Sequence, residues 1–258
     1  MKIAIVTGAS SGMGREFVKQ IGFLYRSLDE IWVIARRKER LIELQTHSVV
    51  PLRIFEGDLL KPPIYTSLKQ AFEEEKPDIR MLVNAAGFGK TGSVEEILAE
   101  DKKAQLRMID LNCIALSRMT FCCLPYFSKG SRILNLASAA AFCPQPLFTV
   151  YAATKAYVLS FTRALGAELR PKGILVTAVC PGPVDTEFFE VAGKMENVWK
   201  KMVLAKAPDV VRRALLDSRA GRPMSVYGIA MKGARIASKL IPHHFILKLE
   251  TKGNDKKG

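Results

Sequence analysis

The sequence predicts an α/β chain: a doubly wound parallel sheet with helices on both faces. Three observations lead there. Short β-branched runs alternate with longer segments of helical periodicity, the signature of repeated βαβ units. The runs are almost wholly apolar, as strands buried on both faces must be. The first run passes directly into a glycine-rich turn, Thr7-Gly8-Ala9-Ser10-Ser11-Gly12-Met13-Gly14, which opens a helix.

Taken in order, strands are expected at about 3–7, 31–35, 52–56, 81–84, 132–137 and 175–180, with a last one near 223–226. Helices are expected between them at about 13–28, 39–45, 64–76, 99–124 and 152–169. Right-handed crossovers place ligands at the carboxyl ends of such strands. The chain of 258 residues suits one domain, since α/β folds of this size often stay undivided. Residues 1–251 are assigned to it, with a mobile helical insert at about 187–207 and a disordered basic tail at 252–258.

Composition removes several classes of function. Five cysteines, Cys113, Cys122, Cys123, Cys143 and Cys180, follow no metal-ligand spacing. They read as reduced, mostly buried thiols, and no metal site is expected. The opening MKIAIVTGAS lacks the apolar core of a secretory signal. No run approaches the ~20 apolar residues of a membrane span. A cytoplasmic protein is the expectation. Net charge is +14, and residues 194–258 alone hold 15 Lys/Arg against 5 Asp/Glu. No aromatic-interleaved basic stripe accompanies that charge, so a nucleic-acid partner is not expected. A solvated helical face accounts for it better than a membrane partner does.

The glycine turn has a physical purpose. Glycines allow tight turning and close backbone approach to a pyrophosphate, while the helix start offers free N–H groups and a positive dipole end. The contact set is Gly8, Ser10, Ser11, Gly12, Met13 and Gly14. At the end of the second strand an acid would bind the ribose 2′-hydroxyl of NAD. Here Ala35 is followed by Arg36 and Arg37, whose planar forks suit the 2′-phosphate of NADP. NADP(H) is preferred on this reading, with NAD(H) still compatible.

Catalysis is read from three residues. Ser138 lies just past the fifth strand, and Tyr151 and Lys155 share one helix face at i and i+4. Carbonyl reduction needs a hydride to carbon and a proton to oxygen. A tyrosine near pKa 10 is a poor proton donor and acceptor at neutral pH, and a neighbouring ammonium is expected to lower that value. Ser138 is placed to hydrogen-bond the oxygen where charge develops.

These motifs resemble the short-chain dehydrogenase/reductase family, over residues 1 to about 189. The resemblance implies a Rossmann fold and assigns roles residue by residue. Thr7 to Gly14 matches the TGxxxGxG turn, and Tyr151 to Lys155 the YxxxK motif. Asp58, with Leu59 beside it, matches the acid next to the adenine ring. Asn84-Ala85-Ala86-Gly87 matches the NNAG segment, with Ala85 where the family carries a second, sheet-bracing Asn. Ser11 stands where many NADP-preferring members carry a basic residue. Tyr151 is then the proton donor or acceptor. Lys155 tunes it and holds the nicotinamide ribose, and Ser138 positions the substrate oxygen. Asn112 holds a water behind Lys155. Pro181, Gly182, Val184 and Thr186 line the nicotinamide. The resemblance also implies a homodimer or homotetramer, formed through the helices at about 99–124 and 152–169.

For the substrate, the loop after Ser138 offers Gln145 and Phe148, and the segment after Gly182 offers Phe188, Phe189, Trp199 and Met202. Such apolar walls suit a hydrophobic carbonyl or alcohol, of the steroid, long acyl or aromatic ketone class. Residues 229–249 interleave Ile and Leu with Lys and Arg; subunit or self-packing is expected there. The alternative to an enzyme is a catalytically silent dinucleotide-sensing protein of the same fold, which would be expected to lack part of the Ser–Tyr–Lys set.

Overall fold

The computed structural model describes residues 1–188, 192 and 204–254. Among the described residues nine strands run in chain order: β1 (Lys2–Thr7), β2 (Glu30–Ala35), β3 (Leu52–Glu56), β4 (Asp78–Asn84), β5 (Phe127–Leu136), β6 (Leu175–Val179), β7 (Val184–Asp185), β8 (Ala205–Lys206) and β9 (Met224–Ser225). Seven form one sheet in the order β3-β2-β1-β4-β5-β6-β9, and every pairing is parallel. The order reverses between β1 and β4, so their carboxyl ends open a crevice where the chain leaves in opposite directions. The helices are α1 (Gly12–Leu24), α2 (Lys38–Thr46), α3 (Pro62–Glu75), α4 (Val94–Glu100), α5 (Ala104–Ile109), α6 (Leu116–Cys123), α7 (Thr149–Leu169), α8 (Ala207–Arg219), α9 (Ile229–Leu240) and α10 (His243–Asn254).

Alternation along β1 builds two cores. Ala4 and Val6 face Phe17, Val18 and Ile21 of α1 and Val211 and Leu215 of α8. Ile3 and Ile5 face the opposite layer, with Trp32, Leu68 and Phe72, and Leu165 of α7. Successive strand residues point to opposite faces, so one apolar run feeds both layers. Trp32 stacks on Phe72 with ring centroids 5.5 Å apart. Each such fully buried side chain contributes roughly 1.5–3 kcal/mol relative to exposure.

Several boundaries differ from the sequence expectation. The helix expected at 99–124 is divided. A Ser93/Glu96 capping box starts α4 early. Asp101 then leaves the helical region, and its Oδ1 accepts from Lys103 N at 3.0 Å. Between α5 and α6 lies a π-helical turn, Asp110–Ala115. The continuous run Ala104–Tyr126 is long and apolar enough to cross a membrane by length and composition, which the sequence reading did not anticipate. Half of its most apolar 18-residue window is buried inside the protein, as in a core helix. The insert at 187–207 falls mostly outside the described residues, and Phe189, Trp199 and Met202 fall there with it. Its base is held by the β7–β8 ladder, Val184 opposite Ala205 and Asp185 opposite Lys206. Of the tail expected at 252–258, residues up to Asn254 belong to α10; residues 255–258 lie outside the described residues.

Candidate active site

The first βα junction is shaped for a close ligand backbone. Gly8 has φ +69°, and a Cβ there would lie 2.8 Å from the backbone N and Cα of Ala86. A Cβ on Gly14 would overlap the Gly8 carbonyl. No side chain but glycine fits either position. Ser11 is the N-cap of α1 in an extended conformation, yet its side chain accepts no first-turn N–H. The first turn carries no acid either. That helix start therefore presents unpaired donors and an uncompensated dipole end to an anion. Across the crevice, Thr186 packs 3.4 Å from the position of a Gly12 Cβ. Val184 is buried in the core. Pro181 ties the loops after β5 and β6 together, its carbonyl accepting from Ala139 N at 2.8 Å. Gly182 is overlain by Met231 of α9.

The basic corner is redistributed. Arg36 is exposed. Arg37 Nε donates to Ser10 Oγ at 3.2 Å, and its Nη1 pairs with Glu187 at 3.0 Å. Arg40, one helical turn on, pairs with the other Glu187 oxygen at 2.5 Å. Sequence reasoning missed Arg40, although the i, i+3 spacing from Arg37 placed both on one side of α2. Asp58 closes the turn after β3, its Oδ1 accepting from Leu60 N at 3.0 Å. Leu59 is buried, its side chain packed in the core with Phe55, Ile64 and Tyr65.

Asn84 does not offer its side chain to a ribose. It is 2% exposed, and its Nδ2 donates to Asn135 Oδ1 at 2.9 Å and Thr120 Oγ1 at 3.1 Å. Asn135 in turn donates to Thr162 Oγ1 at 3.1 Å. This buried ladder ties β4 and β5 to α6 and α7. The sheet bracing assigned to the missing Asn at Ala85 is thus performed by Asn84. Ala85 and Ala86 instead hand their N–H groups to Thr7 Oγ1 at 3.1 and 3.2 Å, and Gly87 fits beside Asn112 and Lys155 only because it lacks a Cβ.

Tyr151 sits in the first turns of α7, with Lys155 one turn on, and both are nearly fully buried. Phe148 stacks on the phenol ring at 4.2 Å, and Phe188 tilts against it at 5.5 Å. Gly89 lets these three rings meet: a Cβ there would lie within 3.0 Å of all of them. Nothing in the sequence singled out Gly89. Ser138 caps a short 3-10 turn, its Oγ accepting from Ala140 N at 3.1 Å. That fixes the hydroxyl and leaves its proton to donate. Gln145 is half-buried, and its carbonyl accepts from Phe148 N at 3.2 Å.

The electrostatics depart from expectation. Burial pushes the Tyr151 phenol up to about 12, and the Ser138 hydrogen bond only partly opposes it. The expected lowering by Lys155 is not what this arrangement produces. Lys155 Nζ lies 5.6 Å from the ring centroid and donates to the Leu136 carbonyl at 2.8 Å. Burial pulls Lys155 down to about 8, against the nearby thiols Cys113 and Cys180. Asn112, in the π-helical turn, is also committed. Its Oδ1 accepts from Phe88 N at 3.1 Å, while its Nδ2 donates to Phe88 O at 2.9 Å and Thr154 Oγ1 at 3.0 Å. Both of its amide hydrogens are therefore taken by protein, and they tie Phe88 to Thr154 of α7 beside Lys155.

The comparisons agree with this geometry. A family model described as short chain dehydrogenase matches residues 2–197. The chain belongs to the short-chain dehydrogenase family. An uncharacterized oxidoreductase of Staphylococcus epidermidis is 32% identical over 216 residues, covering 83% of this chain and 90% of the relative. A very-long-chain 3-oxoacyl-CoA reductase of Anas platyrhynchos is 31% identical, covering 83% of this chain and 68% of the relative. A short-chain dehydrogenase of Sphingobium yanoikuyae, solved in complex with NADPH, superposes with a TM-score of 0.75 at 27% identity, over 92% and 94% of the two chains. This short-chain dehydrogenase is accordingly an oxidoreductase built on the family's doubly wound parallel sheet.

Proposed function

We propose that this short-chain dehydrogenase is an NADP(H)-preferring reductase or dehydrogenase that interconverts a hydrophobic ketone and its secondary alcohol. The observation that carries the reading is the convergence of Ser138, Phe148 and Phe188 on the Tyr151 phenol, beside a buried Lys155 held at the carboxyl end of β5. The Gly8 and Gly14 approach and the open start of α1 fit a dinucleotide pyrophosphate. Arg37 and Arg40 fit a 2′-phosphate. When bound, the nicotinamide exchanges a hydride with the substrate carbon.

The protein's own groups handle the oxygen. Tyr151, held protonated by burial, donates its proton to the developing alkoxide in the reductive direction and is reprotonated afterwards; in the oxidative direction it must first give up that proton, and the resulting phenolate then accepts the one from the alcohol. Ser138 donates a hydrogen bond to the same oxygen, stabilising charge there. Lys155, its proton loosened by burial and its Nζ held on the Leu136 carbonyl, lies one helical turn from Tyr151 and would hold the nicotinamide ribose. The aromatic cover excludes water and selects apolar flanks, and the acyl-CoA reductase relative supports that substrate class. A homo-oligomer is part of the proposal, supported by exposed Leu106, Ile114, Phe121 and Tyr157 on the helices of the 104–169 region. So is a cytoplasmic location, supported by five cysteines that form no disulfide among the described residues.

The test is Tyr151→Phe with NADPH and NADH in parallel against a ketone panel. Turnover should fall by about 10²–10⁴ while NADPH binding persists. Full activity in the variant refutes the role of Tyr151. No turnover by the parent chain on any panel member, with tight NADPH binding, favours the dinucleotide-sensing alternative. Equal rates with NADH refute the NADP preference.

A further inference from the structure

Glu187 sits where a bound anion would be expected. It follows Thr186 directly, at the edge of the nicotinamide side of the crevice, yet its carboxylate reaches the opposite, adenosine corner. Each oxygen takes one guanidinium: Oε2 the Arg37 Nη1 at 3.0 Å, Oε1 the Arg40 Nη1 at 2.5 Å. Arg37 simultaneously holds Ser10 of the glycine turn through Nε. Two arginines from the β2–α2 junction converging on one anion is the arrangement a phosphate monoester would use. The next residue, Phe188, lies against Tyr151 at 5.5 Å and over Gly89. One short segment thus bridges the basic corner and the phenol.

We propose that Glu187 is a built-in competitor for the 2′-phosphate site, and that a 2′-phosphate displaces it and so loosens the Phe188 cover on Tyr151. This rests on the NADP(H) reading above. The exchange is physically reasonable because the ion pairs are weak. The three side chains are 39–42% exposed, and pairs so exposed to water each contribute little. Partial burial works to raise the Glu187 carboxyl, and the hydrogen bonds and charges of Arg37 and Arg40 outweigh it, so it stays ionised at neutral pH. A dianionic phosphate offers the same two forks more charge and a third oxygen. The 2′-phosphate then does two things: it adds affinity, and it acts on the segment that covers the catalytic tyrosine. NAD(H), lacking it, leaves Glu187 in place.

The experiment measures calorimetric binding of adenosine 2′,5′-bisphosphate and of 5′-AMP at one fixed ionic strength, with the parent chain, Glu187→Gln and Phe188→Ala. Glu187→Gln keeps the side-chain size and removes the charge. Its affinity for the bisphosphate should rise about three- to tenfold, the scale of two exposed ion pairs, with 5′-AMP unchanged. Phe188→Ala leaves the carboxylate but removes its anchor, and should shift bisphosphate affinity in the same direction by a smaller factor, because the two events are reciprocally linked. If the parent prefers the bisphosphate and Glu187→Gln binds it no tighter, the competitor is overturned while the NADP reading survives. An unchanged Phe188→Ala overturns the link to Tyr151. Equal binding of both probes by all three proteins removes the phosphate site itself, and the competitor with it.

Discussion

Lys155→Met tests the site's electrostatics without any cofactor or substrate. Lys155 is 6% exposed, and its Nζ donates a hydrogen bond to the Leu136 carbonyl. No carboxylate pairs with it among the described residues. Burial therefore lowers its pKa from 10.5 to about 8. The folded protein holds this proton less tightly than the unfolded chain does. Its contribution to stability is fully present above pH 10.5 and is lost as pH falls through about 8. Each pH unit in that window is worth about 1.4 kcal/mol, so the whole effect is about 3 kcal/mol. Methionine keeps the unbranched reach and has no proton to lose. Removing the partner of the Leu136 carbonyl costs about 1–3 kcal/mol, but at every pH alike. Urea unfolding of both cofactor-free chains at pH 7, 8, 9 and 10 isolates the titration. The parent should gain on the variant by about 2–3 kcal/mol between pH 7 and 10. Tyr151, raised by burial, acts in the opposite sense only above pH 10 and is present in both chains. A stability difference that stays constant with pH would refute the idea of an uncompensated ammonium beside Tyr151.

Two further outcomes follow from the backbone and the polar core. Gly8→Ala forces a side chain into a positive-φ position against Ala86; it should cost about 2 kcal/mol or more and lower Tm by roughly 4–8 °C, with NADPH binding lost in a fluorescence titration. Retained binding would show that the turn has room the structure denies. Asn84→Ala strips the partners from Asn135 and Thr120 and should cost about 2–4 kcal/mol in urea unfolding, whereas a change below 1 kcal/mol would mean the ladder holds little.

Local signals were legible from the residues in order. β1, the glycine turn and the start of α1 are contiguous, so their chemistry is written in one stretch, 3–14. Tyr151 and Lys155 are four residues apart on one helix, and helical geometry alone puts them on one face. The Ser93/Glu96 capping box was equally local and was overlooked, which is why α4 began earlier than expected. What sequence order did not carry was partner choice over distance. Glu187 reaches Arg37 across 150 positions, and Asn84 reaches Asn135 across 51. Neither pairing has a periodic signature.

The amino-acid sequence by itself determined the alternation of strands and helices, the turn that only glycine can make, and the Ser138–Tyr151–Lys155 set. Those follow from backbone sterics and period. The tertiary structure decided how these groups behave. It sealed Tyr151 beneath Phe148 and Phe188, turned Lys155 toward a carbonyl rather than the phenol oxygen, and gave the Arg37–Arg40 corner a carboxylate of its own. Burial and through-space charge set proton affinities, and both exist only once distant segments have packed together.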